Sequence, residues 1–139
     1  MIAQRITRKN DYSDLDLDFL AHPTTGDVVK KTGIDAIKRS VRNLVMTNFY
    51  DRRFRSFIGS NATKILFDNI NPFTATFLKD AIIEVITNFE PRIKLREDQD
   101  DGVIVSVNPD NNGYDVRITF SVVNTGEPAT INFFLERIR

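Results

Sequence analysis

The sequence predicts an α+β fold, with helices packed on one face of a mainly antiparallel sheet. Three observations carry that expectation. Apolar residues recur at helical spacing between about residues 34 and 89. From residue 92 onward the period shortens to two, as it does in half-buried strands. Between the two regimes stands Glu90-Pro91, a dipeptide that stops a helix because proline restricts the residue before it and supplies no amide proton.

Taken in order, Asp14-Leu15-Asp16-Leu17-Asp18-Phe19 alternates strictly. It predicts a strand with Leu15, Leu17 and Phe19 inward and the three aspartates outward. Pro23-Thr24-Thr25-Gly26-Asp27 reads as a turn. An amphipathic helix follows from about Ile34 to Met46. Ile34, Ile37, Val41, Leu44 and Val45 lie on one side of it, and Lys38, Arg39, Arg42 and Asn43 on the other. Thr47 to Ser60 is expected to be an ordered loop whose aromatics Phe49, Tyr50, Phe54 and Phe57 anchor in the core. Asn61 is placed to cap a short helix carrying Ile65, Leu66 and Phe67.

Asn71-Pro72 combines a capping side chain with proline at the first helical position. It opens a long helix whose apolar stripe runs through Phe73, Phe77, Leu78, Ala81, Ile82, Val85, Ile86 and Phe89. Short strands are expected at 92–97 and 102–108, the second with Val103, Val105 and Val107 on one face. Pro109-Asp110-Asn111-Asn112-Gly113 is hairpin-turn chemistry. Tyr114, Val116, Ile118, Phe120 and Val122 then alternate with polar residues, and Ala129 to Leu135 forms a last strand. Without internal repeats or a low-complexity linker, residues 1–139 read as a single domain, with 1–11 as an arm that is flexible or held by a partner.

Composition narrows the function classes. The 139 residues carry 19 Lys+Arg and 19 Asp+Glu, one His, no Cys and no Trp. A formal net charge of zero argues against nucleic-acid binding by overall basicity. Lack of cysteine removes disulfides, thiolate metal sites and a thiol nucleophile. No leader-like apolar segment follows Arg5 and no apolar run could span a bilayer, so the protein is expected to stay where it is made. The zero conceals a split: residues 1–60 hold 11 Lys+Arg against 7 Asp+Glu, and 61–139 hold 8 against 12. The basic excess lies between Lys30 and Arg55, and the acidic excess is densest at Glu97-Asp98-Gln99-Asp100-Asp101. Such patches are solvated faces, or they orient docking to a neighbour.

Constellations for catalysis are sparse. His22 stands beside a turn, and no Gly-x-Ser-x-Gly elbow exists. One histidine without cysteine does not make a zinc site. The 98–102 stretch begins like a calcium loop but lacks its glycine at position six and its terminal glutamate, so no metal or cofactor is expected. Glu84, Glu90 and the acidic cluster at 97–101 are the carboxylates to test for glycoside hydrolysis, yet neither Glu84 nor Glu90 belongs to an evident cleft with sugar-stacking aromatics. Phosphate-binding glycine loops are missing. The basic, aromatic segment from Lys30 to Arg55 leaves an RNA-binding domain as a further alternative.

One series of motifs is more informative. Ile37-Lys38-Arg39-Ser40-Val41-Arg42-Asn43-Leu44-Val45-Met46-Thr47 is followed by Phe57-Ile58-Gly59-Ser60 with Leu66-Phe67, then Asn71-Pro72, Glu90-Pro91-Arg92 and Thr125-Gly126-Glu127-Pro128. In order and spacing this resembles the contractile-tail baseplate wedge family, which includes the sheath-initiating baseplate subunit of type VI secretion systems. The start, Tyr12 to Phe19 with His22 to Val28, looks like the branch from large contractile-tailed phages. The resemblance covers residues 12–134. It implies a structural, non-enzymatic protein of the virion tail baseplate, assembled in the host cytoplasm, without nucleic acid or membrane insertion. Its partners would be other baseplate wedge proteins, through their helical core bundle, and tail-sheath subunits. The implied fold is similar to the strand-exchanging domain of those sheath subunits, so the protein would template the first sheath ring.

Glu90, Pro91 and Arg92 match the family's Glu-Pro-Arg motif, which reads as a fold-defining corner, as a contact to neighbouring subunits, or as both. Lys38, Arg39 and Arg42 form a candidate partner-contact face. Thr47-Asn48-Phe49-Tyr50-Asp51-Arg52 stands where the family commonly has an acidic Gly-Glu-Arg type of turn. Some family members have been described as lysozymes, so a peptidoglycan-cleaving muramidase is the alternative the resemblance brings with it.

Overall fold

Residues 12–16, 18–96 and 102–138 are described by a computed structural model of the chain, in two units, 1–39 and 40–139. The expected arm at 1–11, the inward Leu17 and the acidic stretch 97–101 lie outside the described residues.

In the first unit, β1 (Ser13–Leu15) pairs antiparallel with β2 (Lys30–Thr32), Ser13 facing Thr32 and Leu15 facing Lys30. The turn between them closes where the His22 amide donates to Asp27 O at 2.7 Å and the Gly26 amide to His22 O at 2.8 Å. Gly26 sits there at φ +71°, which glycine adopts without steric cost.

The expected faces hold only in part: Asp14 and Asp18 are exposed as expected, but the other described positions are not as expected. Leu15 and Phe19 are exposed, whereas Asp16 is buried. Charge pairing overrides the apolar alternation: the Asp16 carboxylate lies 3.5 Å from Lys31 Nζ and 3.8 Å from Arg39 Nη2, and it accepts the Asp18 amide at 3.3 Å. β1 ends at Leu15, and Phe19, at φ +50°, lies outside the strand geometry on which a period of two depends.

Helix α1 (Gly33–Met46) matches its expected span, with Ile37, Val41 and Val45 fully buried. In the second unit it is followed by α2 (Ala62–Ile65) and α3 (Pro72–Phe89). Asn71 caps α3 as expected, its side chain accepting the Thr74 amide at 2.8 Å. Asn61 makes no such bond. The Ser60 hydroxyl takes that role, accepting the Ala62 amide at 3.2 Å while donating to Val45 O at 2.7 Å.

Four strands complete the second unit: β3 (Ile93–Leu95), β4 (Val103–Asn108), β5 (Gly113–Val122) and β6 (Pro128–Glu136). All pairings are antiparallel and all involve β5. β6 lies along one side of it, Ala129 facing Phe120 and Leu135 facing Tyr114. Its other side is shared, β4 covering residues 113–118 and β3 covering 120–122. β3 and β4 therefore lie on the same side of β5.

Tyr114, Val116, Ile118, Phe120 and Val122 are buried, as their alternation predicts, and α3 packs over this sheet with Leu78, Ile82, Val85 and Ile86 inward. Among the described residues no helix is long and apolar enough to cross a membrane.

The aromatics depart from expectation. Tyr50, Phe54 and Phe57 do not anchor in the core; they are 82%, 100% and 65% exposed. Their loop is held by its own backbone hydrogen bonds instead, so it needs no buried ring to define its path. Phe73 and Phe77 are also exposed, because the helical period puts them on the face of α3 that carries Asp80 and Glu84, opposite Leu78 and Ile82.

Candidate functional site

The corner between α3 and β3 is built from three consecutive residues and one distant one. Glu90 closes α3, its amide donating to Ile86 O at 2.9 Å. Pro91 cannot continue the helix. Two residues after Glu90, Arg92 turns its guanidinium back onto the carboxylate, Nε donating to Oε1 at 2.6 Å and Nη2 to Oε2 at 2.7 Å. The Ser40 hydroxyl of α1 adds a third bond to Oε2 at 2.8 Å. Arg92 O accepts the Val123 amide at 2.9 Å, which fixes the corner to the end of β5.

Burial of Glu90 would by itself raise its pKa. The hydrogen bonds from Arg92 and Ser40, with the Arg92 charge, outweigh it and hold the carboxyl below its ordinary 4.5. A group held ionised, with both oxygens occupied, is unsuited to donate a proton as a general acid must. What the arrangement can do is mechanical: it locks the exit angle of β3 and presents exposed Pro91 with half-buried Arg92 at the surface. Beside them an open groove of about 490 Å³ runs between α3 and β3, lined by Ile83, Thr87, Pro91, Lys94 and Leu95 among others.

The other candidates do not join this corner. In the first unit, Arg39 is held by Asp18, with Nη2 to Oδ1 at 2.6 Å, and Lys38 is half-buried. Arg42, in the second unit, is exposed. Glu84 is exposed on α3. His22 is exposed, its Nδ1 accepting the Thr24 amide at 3.2 Å. Among the described residues no three histidine or carboxylate side chains converge as metal ligands would. Sequence reasoning missed Ser40 as the third partner of Glu90. It sits inside a basic run, and its partner is 50 positions away, so no local pattern reveals it.

Comparison with known proteins supplies a frame for this corner. The family described as baseplate wedge protein gp25 matches residues 31–127, a span that includes Glu90-Pro91-Arg92. Baseplate wedge protein gp25 of Enterobacteria phage T4 is 31% identical over 115 residues, covering 81% of each chain. In fold, the chain is similar to a Geobacter sulfurreducens protein described as a candidate tail lysozyme. That match has a TM-score of 0.65 and 21% identity, covering 74% of this chain and 89% of that one. It is also similar to a chain of the anti-feeding prophage baseplate, with a TM-score of 0.59 and 20% identity over 92% and 87% of the two chains. The match over residues 31–127, with the 31% identity to the phage T4 protein, shows that the chain belongs to the baseplate wedge protein gp25 family.

Proposed function

We propose that this chain is a structural subunit of a contractile-tail baseplate wedge, assembled in the host cytoplasm, that binds the helical core bundle of other wedge proteins and templates the first ring of tail sheath. The observation that carries the templating step is β6. It is nine residues long and pairs with β5 on one side, and among the described residues no strand covers its other side. An open edge offers a row of backbone donors and acceptors to an incoming strand, which a sheath terminus can supply. The Glu90-Pro91-Arg92 corner supports the second contact. Its geometry is fixed internally, so Pro91 and the outer part of Arg92 meet a neighbour at little ordering cost. The face of α1 that carries Lys38, Arg39 and Arg42 is proposed separately to meet acidic groups of a wedge protein.

Reconstitution with candidate wedge proteins and sheath subunits tests this reading. A stable complex that starts sheath polymers is expected. Failure to form any complex overturns it, and a stable complex with RNA instead favours a nucleic-acid function.

The muramidase alternative raised by the family resemblance also fits the description of the Geobacter sulfurreducens protein. The state of Glu90 argues against it, since a glycosidase acid needs a raised pKa. Purified protein is expected to leave peptidoglycan intact. Cell-wall clearing abolished by Glu84→Gln or Glu90→Gln in folded variants would establish the enzyme instead.

A further inference from the structure

We propose that the loop from Asn48 to Phe57 is a separate docking site for an acidic segment of a partner protein, with Phe54 entering an apolar recess of that partner and the arginines around it meeting carboxylates. Phe54 is fully exposed, with Tyr50 and Phe57 exposed nearby in the chain. Arg52, Arg53 and Arg55 are exposed as well, and among the described residues none of the three forms an ion pair. The one acidic residue of the loop, Asp51, has Oδ2 engaged by the Asn48 amide at 2.8 Å. Three exposed arginines thus flank an exposed phenylalanine in the sequence.

The loop is built rather than merely exposed. The Tyr50 amide donates to Ser56 O at 2.9 Å, Arg55 to Arg52 O at 3.2 Å, and Ile58 to Arg55 O at 3.0 Å. Tyr50 is held at φ +72°, a left-handed conformation that a bulky side chain rarely adopts and that persists where surrounding structure imposes it. At the base, Asn48 bridges to Ser60, the Ser60 amide donates to Thr47 O at 2.8 Å, and Gly59 lets the two strands of the loop touch. The Phe57 ring lies against Phe89 of α3, with ring centroids 6.3 Å apart. The tip is therefore displayed on a closed frame, and little conformational freedom remains to be lost on binding.

The chemistry of the tip specifies its partner. Exposed aromatics with arginine form the composition of protein interface hot spots, and the planar guanidinium fork matches a carboxylate in two-point fashion. Charge complementarity requires the partner segment to be acidic. A nucleic-acid strand or an anionic bilayer is less well matched, because the whole chain has zero net charge and the tip carries only these three cations.

The choice of probe rests on the wedge reading, and the outcomes separate the two. The chain with the photocrosslinker p-benzoylphenylalanine at position 54 is reconstituted with the candidate wedge proteins, irradiated, and the crosslinked peptide is sequenced. A partner peptide rich in Asp and Glu is expected. Phe54→Ala is expected to weaken that complex about 30-fold. Arg52→Glu, Arg53→Glu and Arg55→Glu combined should weaken it further, with thermal unfolding of the free chain unchanged. Affinity should fall about tenfold between about 50 and 500 mM salt. A complex that forms with full affinity after Phe54→Ala and without a crosslink at position 54 overturns this site and leaves the wedge reading standing. Absence of any complex overturns both. Binding to phosphatidylserine vesicles or to a single-stranded RNA oligonucleotide that Phe54→Ala abolishes overturns the choice of a protein partner.

Discussion

The Ser40 hydroxyl donates to Glu90 Oε2 at 2.8 Å across 50 positions of sequence, onto the same carboxylate that Arg92 grips with two nitrogens. One buried side chain thereby joins α1, the end of α3 and the start of β3 in the second unit. Removing its charge leaves the Arg92 guanidinium facing an amide that supplies one acceptor in place of two.

Glu90→Gln is therefore expected to lower unfolding free energy by about 1–3 kcal/mol, since charged hydrogen bonds are lost and Arg92 is only partly open to water. The midpoint of urea unfolding measures it. An unchanged midpoint would show that the corner is not a lock.

Acid should weaken the same lock. The folded carboxyl titrates below its ordinary 4.5, so on acidification the unfolded chain takes up the proton first. The contribution of Glu90 is complete above the unfolded value and is lost as pH falls through the folded one. As pH falls below the ordinary carboxylate range, the stability of the wild-type protein should fall more steeply than that of Glu90→Gln. Parallel pH profiles of the two proteins would contradict this.

Gly59→Ala should be costly. A Cβ there would meet Asn48 C at 2.5 Å and Phe49 N at 2.6 Å, both backbone atoms that no rotamer change can move. A loss of about 1–3 kcal/mol is expected. Gly26→Ala, where nothing lies within 4 Å, should show only the cost of its φ of +71°, about 1–2 kcal/mol. Distorted backbone amide signals for residues 47–60 in the Gly59 variant, and not in the Gly26 variant, would distinguish packing from conformational strain.

Two phenylalanines should behave oppositely in thermal unfolding. Phe120 is fully buried in the middle of the sheet, and Phe120→Ala should lose about 3–5 kcal/mol through lost transfer energy and a cavity. Phe54, fully exposed, should change stability by less than about 0.5 kcal/mol when truncated. A large loss at Phe54 would show that its loop depends on the ring after all.

Where a segment's environment is decided by its own periodicity, the sequence read correctly. The alternation from Tyr114 to Val122 identifies the central strand and its buried face. Asn71-Pro72 and Glu90-Pro91 bracket α3. The same reasoning failed for Leu15, Asp16 and Phe19, because ion pairing with Lys31 and Arg39 outweighed the burial of apolar side chains in so short a strand. Aromatic character likewise points to the core for Tyr50, Phe54 and Phe57, yet all three are exposed, because backbone bonds shape their loop.

By itself, then, the sequence did not reveal β2 (Lys30–Thr32), but it determined α1, α3 and the strands after residue 91, the stops and caps of α3, the inner face of β5 and the presence of Glu90-Pro91-Arg92 at a corner. All of these are set by spacings of a few residues, which local sterics and alternation translate directly into structure. Only the tertiary structure decided that Ser40 completes the Glu90 site, that β3 and β4 share one side of β5, that among the described residues no strand covers the far side of β6, and that Phe54 faces solvent. These depend on strand register and on contacts between residues tens of positions apart, and no local periodicity encodes which distant groups will meet.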